Sequence, residues 1–455
     1  MTNLSGANLN NGAAVGPQGE GRESPGSFPT YPTYRSSGIE WLGVVPEHWA
    51  LGSLKHLAWI RNGRDYKDVE SPDGEYPVIG SGGQFANATQ YLYDGESVLL
   101  GRKGTIDKPL YIHGRFWTVD TMFYTEVGSG ASAKFLYYNA LTIPFQYYST
   151  STALPSMTQG DLLNHPCVIP ALEEQTQIAR FLDHETARID ALIEEQQRLI
   201  ELLKEKRQAV ISHAVTKGLD PAVPMKDSGV EWLGEVPAHW HVKKLKNVTR
   251  QIIDGAHFTP TYVDEGVPFI RVTDIQTQDL DLDSIKRIPK GEHCELIKRC
   301  NPEKGDVLLS KNGTIGITKI IDWDFEFSIF VSLCLLKPAQ NITSKYLLNV
   351  LSGNYAVEQF KDSGQKTSVT NLHLERIREI FIVLPSKAEQ LSISTFIEHK
   401  TAELDLLISE AMQGNSFLQE RRSALISAAV TGKIDVRGWQ PPASTPIPEL
   451  EKEAV

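Results

Sequence analysis

The sequence predicts an α+β protein made of one framework used twice: two mixed α/β domains separated by two long antiparallel coiled-coil helices, a pseudo-two-fold duplicated unit. Three observations predict it. A tryptophan motif is written twice, "SGIEWLGVVPEHW" (Ser37–Trp49) and "SGVEWLGEVPAHW" (Ser228–Trp240), with ten of thirteen positions identical and no gap. Each copy leads into a variable stretch with short β-rich words. Each variable stretch then ends in a long charged-apolar segment, and the region from about 168 to 220 aligns without a gap on 383 to 435. Repeats of such length, present only twice, exclude a solenoid.

Residues 1–34 are rich in Gly, Asn, Ser and Pro, a composition that predicts an unstructured extension. The first variable domain takes 35–170 and the second 221–385. Their strands are read from "YPVIGSGG" (Tyr76–Gly83), "SVLLG" (Ser97–Gly101), "VPFIRV" (Val267–Val272) and "DVLLS" (Asp306–Ser310), apolar runs bounded by Gly, Pro and Asp. "ESVLLGRKGTI" (Glu96–Ile106) answers "GDVLLSKNGTI" (Gly305–Ile315), and "RKGTI" and "KNGTI" each follow a strand with a turn glycine, which predicts a hairpin or tight loop.

The helices are placed at 171–220 and 386–435. Steps of four and three from Ile178 give Leu182, Glu185, Ile189, Leu192, Gln196, Leu199, Leu203, Lys206 and Val210, seven of the ten apolar. Such a helix is a rod of roughly 65 Å. The second copy gives Ile393, Ile397, Lys400, Leu404, Leu407, Ala411, Gly414, Leu418, Arg421 and Leu425. Gly414-Asn415-Ser416 is its weak point, because glycine costs about 1 kcal/mol in a helix, so a kink or break is expected there. Each stripe lies either on its own domain or against the other helix; the sustained seam on both favours antiparallel pairing. The Pro-rich, acidic stretch 436–455 is expected to stand outside the fold.

The chain has 455 residues, 41% hydrophobic and 22% charged, which is ordinary for a globular protein of two or three domains. No apolar run approaches the ~20 residues of a membrane helix, and "MTNLSGANLNNGAAVG" lacks a signal peptide's basic start and apolar stretch. Cytoplasmic location is the expectation. Cys167, Cys294, Cys300 and Cys334 are too few for a disulfide framework and have no metal-ligand spacing. The net charge of −11 is unusual for a free-standing DNA binder, which needs a basic excess.

Motifs for catalysis are missing. There is no G-x-x-x-x-G-K-[ST] loop, no H-E-x-x-H and no G-x-S-x-G elbow. "VIGSGGQF" (Val78–Phe85) lacks dinucleotide spacing, and "NPEK" (Asn301–Lys304) lacks the second proline and the aromatic of an adenine-methyltransferase motif. What remains are loops with polar and basic tips: Arg102, Lys103 and Thr105 in one, Lys311, Asn312 and Thr314 in the matching places of the other. His257 and Thr259 lie in "IIDGAHFTPTY" (Ile252–Tyr262), and Lys366 and Thr367 in "GQKTSVTNLHLERI" (Gly364–Ile377), which is paired with "STALPSMTQGDLL" (Ser151–Leu163). Such side chains grip phosphates and read base edges; each is equally a solvated turn residue. The case for a nucleic-acid interface is that the loops recur while their letters differ.

These marks together, in order and twice over, resemble the specificity subunit of type I restriction–modification systems. The resemblance runs from about Ser37 to Arg437 and rests on the tryptophan motifs, "DGAHFTP", "GDVLLSKNGTIG", "EEQTQIARFLD" and "LISAAVTGKIDVRG". It implies a non-catalytic reader of double-stranded DNA. Two target recognition domains would each read part of a split, asymmetric site, and the helices would hold them apart. Two methyltransferase subunits and the restriction (motor-nuclease) subunits would dock on this chain. S-adenosylmethionine, ATP and Mg²⁺ would belong to those partners, with no cofactor or metal here. Trp41, Trp49, Trp232 and Trp240 are large amphipathic anchors, for packing against the helix bases or for the methyltransferase interface. The first domain departs from the pattern: "RNGRDYKDV" (Arg61–Val69) stands where "DGAHFTP" does in the second. A coiled-coil adaptor without DNA contact and a single-chain DNA-modifying enzyme are the alternatives.

Overall fold

The computed structural model describes residues 28–148, 155–277, 279–362 and 372–442. They fall into two compact units, Met1–Leu192 with Phe417–Val455 and Ile193–Ser416. Each unit therefore takes one half of each long helix.

In the first unit a six-stranded sheet has the spatial order Ala58–Asn62, Met122–Val127, Tyr93–Gly101, Leu110–Thr118, Tyr76–Gly80 and Gly83–Ala88. Only the pair Tyr76–Gly80 and Leu110–Thr118 is parallel. The second unit repeats the theme. Thr249–Asp254, Leu333–Pro338, Val307–Ser310 and Thr318–Ile320 form one sheet in that order, and Val267–Ile270 runs parallel to Ser328–Ile329. The apolar words "VLL" are continuous because these strands are covered on both faces. Val98 and Leu100 face a core shared with the long helices, while Leu99 faces an outer core with Phe116 and Tyr124. Val307 and Leu309 against Leu308 divide in the same way.

The first long helix is Leu172–Lys217 and the second Lys387–Val430. The second starts on a capping box: the Ser386 N–H donates to Glu389 Oε2 at 3.1 Å, and the Glu389 N–H donates to Ser386 Oγ at 3.3 Å. Both end at a glycine of positive φ, Gly218 (81°) and Gly432 (73°), the left-handed cap position where a side chain is strained. Just inside each start, one buried glutamine ties helix to domain. Gln175 Nε2 donates to the Pro170 and Gly130 carbonyls while its Oε1 accepts from the Ser132 N–H. Gln390 does the same with Pro385, Asn341 and Thr343.

Within each unit the two helix halves run antiparallel. In the first, Gln177 reaches the Val436 carbonyl while Asp190 grips Arg422 at 2.7 and 3.1 Å. In the second, Gln196 lies beside Gly414 while Arg207 grips Asp405 at 2.7 and 3.2 Å. The two bidentate pairs occupy equivalent places of the repeat.

Four expectations change. The second helix does not break at Gly414: a Cβ there would come within 3.2 Å of Gln196 Nε2, so the glycine admits a close neighbour. The seam is shifted by one at alternate steps. Ile189, Ile200 and Leu404 are buried, while Leu192, Leu199 and Leu407 are 49%, 43% and 42% exposed. Residues 28–34 belong to the first unit, because Tyr31 is buried in its core, and so do 436–439, because Val436 is buried and Trp439 packs on Phe181. Residues 1–27 and 443–455 lie outside the described residues. Among the described residues no helix is long and apolar enough to cross a membrane.

Candidate nucleic-acid interface

In both domains two loops meet at the end of the sheet, and a glycine makes the meeting possible. Gly255 follows the strand Thr249–Asp254, and a Cβ on it would lie 2.0 Å from the Ile329 carbonyl oxygen. Gly63 follows Ala58–Asn62, and a Cβ there would lie 2.0 Å from the Val119 carbonyl oxygen. No side chain fits at either point. "RNGRDY" thus takes the structural place of "IDGAHF", although its letters differ. The second loop is pinned to the same turn: the Arg102 N–H donates to the Thr121 carbonyl at 2.8 Å, and the Lys311 N–H to the Ser332 carbonyl at 2.9 Å. A third segment joins by its backbone, as the Met157 N–H donates to the Arg102 carbonyl at 3.0 Å and the Leu372 N–H to the Lys311 carbonyl at 2.8 Å.

In the second domain a buried carboxylate gathers the side chains. Asp254 Oδ1 accepts from Arg299 Nη2 at 2.6 Å and from His257 Nε2 at 2.9 Å, and Oδ2 lies 3.2 Å from Lys311 Nζ. Burial opposes ionisation of Asp254, but the hydrogen bonds from His257, Arg299 and Lys311 outweigh it and hold the carboxyl below its usual range. Arg299 also donates to the Asp254 and Gly255 carbonyls at 2.9 and 3.0 Å, which fixes the loop backbone. One carboxylate with two fixed cations leaves a positive excess at the loop of an acidic chain. Beside it lies a cleft of about 370 Å³ whose walls include Phe258, Leu296, Arg299 and Cys300. Among the described residues the first domain has no such cluster, and Asn62 stands in the place of Asp254. There Arg102 donates to the Asp120 carbonyl at 3.3 Å and lies 5.9 Å from the centre of the Phe123 ring.

The sequence-predicted residues divide accordingly. Lys103, Thr105, His257, Thr259 and Thr314 are exposed on these loops, while Arg102 and Asn312 are half-buried. Lys311 is corrected as an exposed tip: it is 5% exposed, because pairing with Asp254 draws its ammonium inward. Lys366 and Thr367 lie outside the described residues. Trp49 and Trp240 are each 1% exposed and fill their unit's core beside a helix-ending glycine, which is the packing role. Trp41 and Trp232 remain half-exposed, Trp41 stacked on His165 at 5.5 Å. Arg299 and Asp254 were missed. "DGAH" carried a signal for the aspartate, but no local pattern marks Arg299.

The chain matches the family described as "Type I restriction modification DNA specificity domain" twice, over residues 46–203 and 237–409, which together are well over half its length. It is 24% identical over 433 residues to the type I restriction enzyme EcoBI specificity subunit of Escherichia coli, covering 88% of this chain and 89% of that one. It is 22% identical over 427 residues to the MjaVIII specificity subunit of Methanocaldococcus jannaschii, covering 86% and 94%. The fold is shared with a chain from a solved type I R-M system, with a TM-score of 0.62 at 16% identity over 85% of this chain and 98% of that one. With two matched domains on one duplicated frame, the chain belongs to the type I restriction–modification DNA specificity family.

Proposed function

We propose that this chain reads a bipartite, asymmetric target in double-stranded DNA, one part with each variable domain, for a type I restriction–modification complex. The observation that carries this reading is the pair of glycine-framed loop clusters. Backbone positions coincide between the domains while the side chains differ: Asn62, Asp65, Arg102 and Lys103 in one, Asp254, His257, Lys311 and Asn312 in the other. Equal frames with unlike tips suit readers of unlike half-sites. The exposed Lys103, Thr105, His257, Thr259 and Thr314 are the proposed contacts, and Lys366 and Thr367 are proposed with them from the sequence alone. Methyltransferase and restriction subunits dock on the frame, where Trp41 and Trp232 are the candidate anchors. They hold the S-adenosylmethionine, ATP and Mg²⁺, and this chain contributes no catalytic group. Mapping methylated adenines in cells with and without the chain tests the reading. The expected result is a set of methylated sites that vanishes without the chain and shows two dissimilar half-sites at one gap. Methylation unchanged by its removal, or turnover of S-adenosylmethionine by the purified chain alone, overturns it.

A further inference from the structure

The base of each long helix carries the same four groups: a histidine and a tryptophan from the repeated motif, a glutamate from the helix start, and an aspartate beyond the helix end of the partner copy. In the first unit these are His48, Trp49, Glu174 and Asp435; in the second, His239, Trp240, Glu389 and Asp220. The first set surrounds a tyrosine. Tyr31 is buried, its hydroxyl donates to Glu174 Oε1 at 2.8 Å, and its ring meets Trp49 edge-on at 5.5 Å and His48 at 5.5 Å, with the Arg437 guanidinium 4.9 Å from its centre. Tyr31 comes from a second stretch of chain lying alongside 435–439, joined where the Asp435 N–H donates to the Pro29 carbonyl at 2.7 Å.

The second unit has one continuous stretch in this region, Gly218–Met225, with Ala222 and Val223 and no aromatic residue. A cavity of about 130 Å³ opens there, lined by Asp220, Val223, His239, Trp240, Glu389 and Ser392 among others. That is room for one side chain, well below the several hundred Å³ of a small-molecule site. Glu389 accepts from Trp240 Nε1 at 2.9 Å and His239 Nε2 at 2.7 Å. Burial opposes its ionisation, but the hydrogen bonds from Trp240, His239 and Ser386 outweigh this and hold it at about 2, so it is a charged acceptor. In the filled first unit the tyrosine takes the glutamate, and Trp49 Nε1 has no partner among the described residues.

We infer that the cavity beside Trp240 and Glu389 is a docking pocket for a tyrosine side chain presented by a partner polypeptide, the first unit showing the occupied form with its own Tyr31. The incoming hydroxyl takes the place of the Trp240 indole on Glu389. This rests on the specificity-subunit reading for the identity of the partner, a methyltransferase subunit, and the internal pair of sites supplies the chemistry. It also makes the two ends of the frame unequal, since only one accepts the tyrosine.

The test uses the full chain labelled with 5-fluorotryptophan and followed by ¹⁹F NMR, the Trp240 signal being assigned from Trp240→Phe. N-acetyl-L-tyrosinamide is expected to move that signal toward the position of Trp49, with N-acetyl-L-phenylalaninamide about tenfold weaker for want of the hydroxyl. Ser392→Trp, at an exposed rim position, is expected to abolish the response with thermal stability unchanged. No response, or equal responses to the two amides, overturns the pocket. With purified methyltransferase subunit, a photo-crosslinking residue at Ser392 is expected to capture a tyrosine-containing segment of that subunit, and Ser392→Trp to weaken assembly at least tenfold. Capture of this chain's own residues, or unaltered assembly, overturns the partner. A wild-type chain that directs no methylation overturns the specificity reading instead, and the tyrosinamide arm judges the pocket independently.

Discussion

Asp254 and Lys311 set the terms for mutation at the second domain's loops. Removing the Lys311 ammonium leaves Asp254 with Arg299 and His257, so Lys311→Met should cost about 1–3 kcal/mol of the second unit's stability, less than full exposure of a lone buried charge. Because the ammonium faces inward, DNA affinity should fall with the slope of log affinity against log salt unchanged, whereas Lys103→Ala should lower that slope by about one contact. A slope altered by Lys311→Met would return the residue to the phosphate surface. In the first unit His165 is buried under Trp41, and burial lowers its pKa to about 4. The neutral form is the folded one, so its contribution is complete above the unfolded pKa near 6.5 and is lost as pH falls toward 4. Between pH 7.5 and pH 5 the chain should lose about 2 kcal/mol that His165→Gln does not lose, measured by urea unfolding at each pH. Of the site, the sequence made the exposed tips legible, since Lys103, His257 and Thr314 are polar residues beside turn glycines. The inward turn of Lys311 was hidden because its partner, Asp254, lies on another strand. Arg299 was hidden because it follows a helix with no motif to announce it.

The long helices were the most legible elements, since a proline-free run with four-three spacing leaves few alternatives, and their ends fall where Pro170, Pro385, Gly218 and Gly432 place them. Their phase was not legible. Runs such as Leu192-Ile193 and Leu199-Ile200 offer two adjacent apolar residues, and periodicity alone cannot say which turns inward. The structure buries Ile200 to 3% and leaves Leu199 43% exposed. Ile200→Ala should therefore cost about 2–4 kcal/mol, while Leu199→Ala should cost less than about 1 kcal/mol, both read from denaturant midpoints. Equal losses would show that the seam is not the one described. Gly414 carries a related lesson. A propensity scale reads it as a fault in the helix, but the helix runs through it without a break, with the Gln196 amide beside its open Cβ position at 3.2 Å. The variable domains were legible as alternating short strands, yet their sheet order was not, because it depends on pairings between distant segments that local patterns do not record.

At the scale of the whole molecule, the proposed function makes the helices a spacer, and a spacer can be lengthened without touching a reading loop. Seven residues inserted after Gln197 in the first helix and seven after Gly414 in the second keep the apolar phase to within about 20°. Each insertion adds about 10 Å of rise. On B-form DNA at 3.4 Å per base pair this corresponds to about three base pairs. The letters of both half-sites should therefore stay the same while the gap between them grows by about three. The two rotations do not match, however. Three base pairs turn the duplex by roughly 100°, from about ten base pairs per turn, while the insertion turns the helices by only about 20°. The extended protein can meet both half-sites only by twisting or bending the intervening DNA, at a cost of order 1–6 kcal/mol. Methylation should accordingly be slower than with the unaltered chain, and slower still in stiff A-tract spacers than in spacers rich in flexible TA and CA steps. Mapped methylated adenines report gap, letters and spacer preference together. A gap unchanged by the insertion would remove the helices from the role of spacer, and altered letters would mean that the reading loops depend on the helix pair rather than on their own glycine-framed supports.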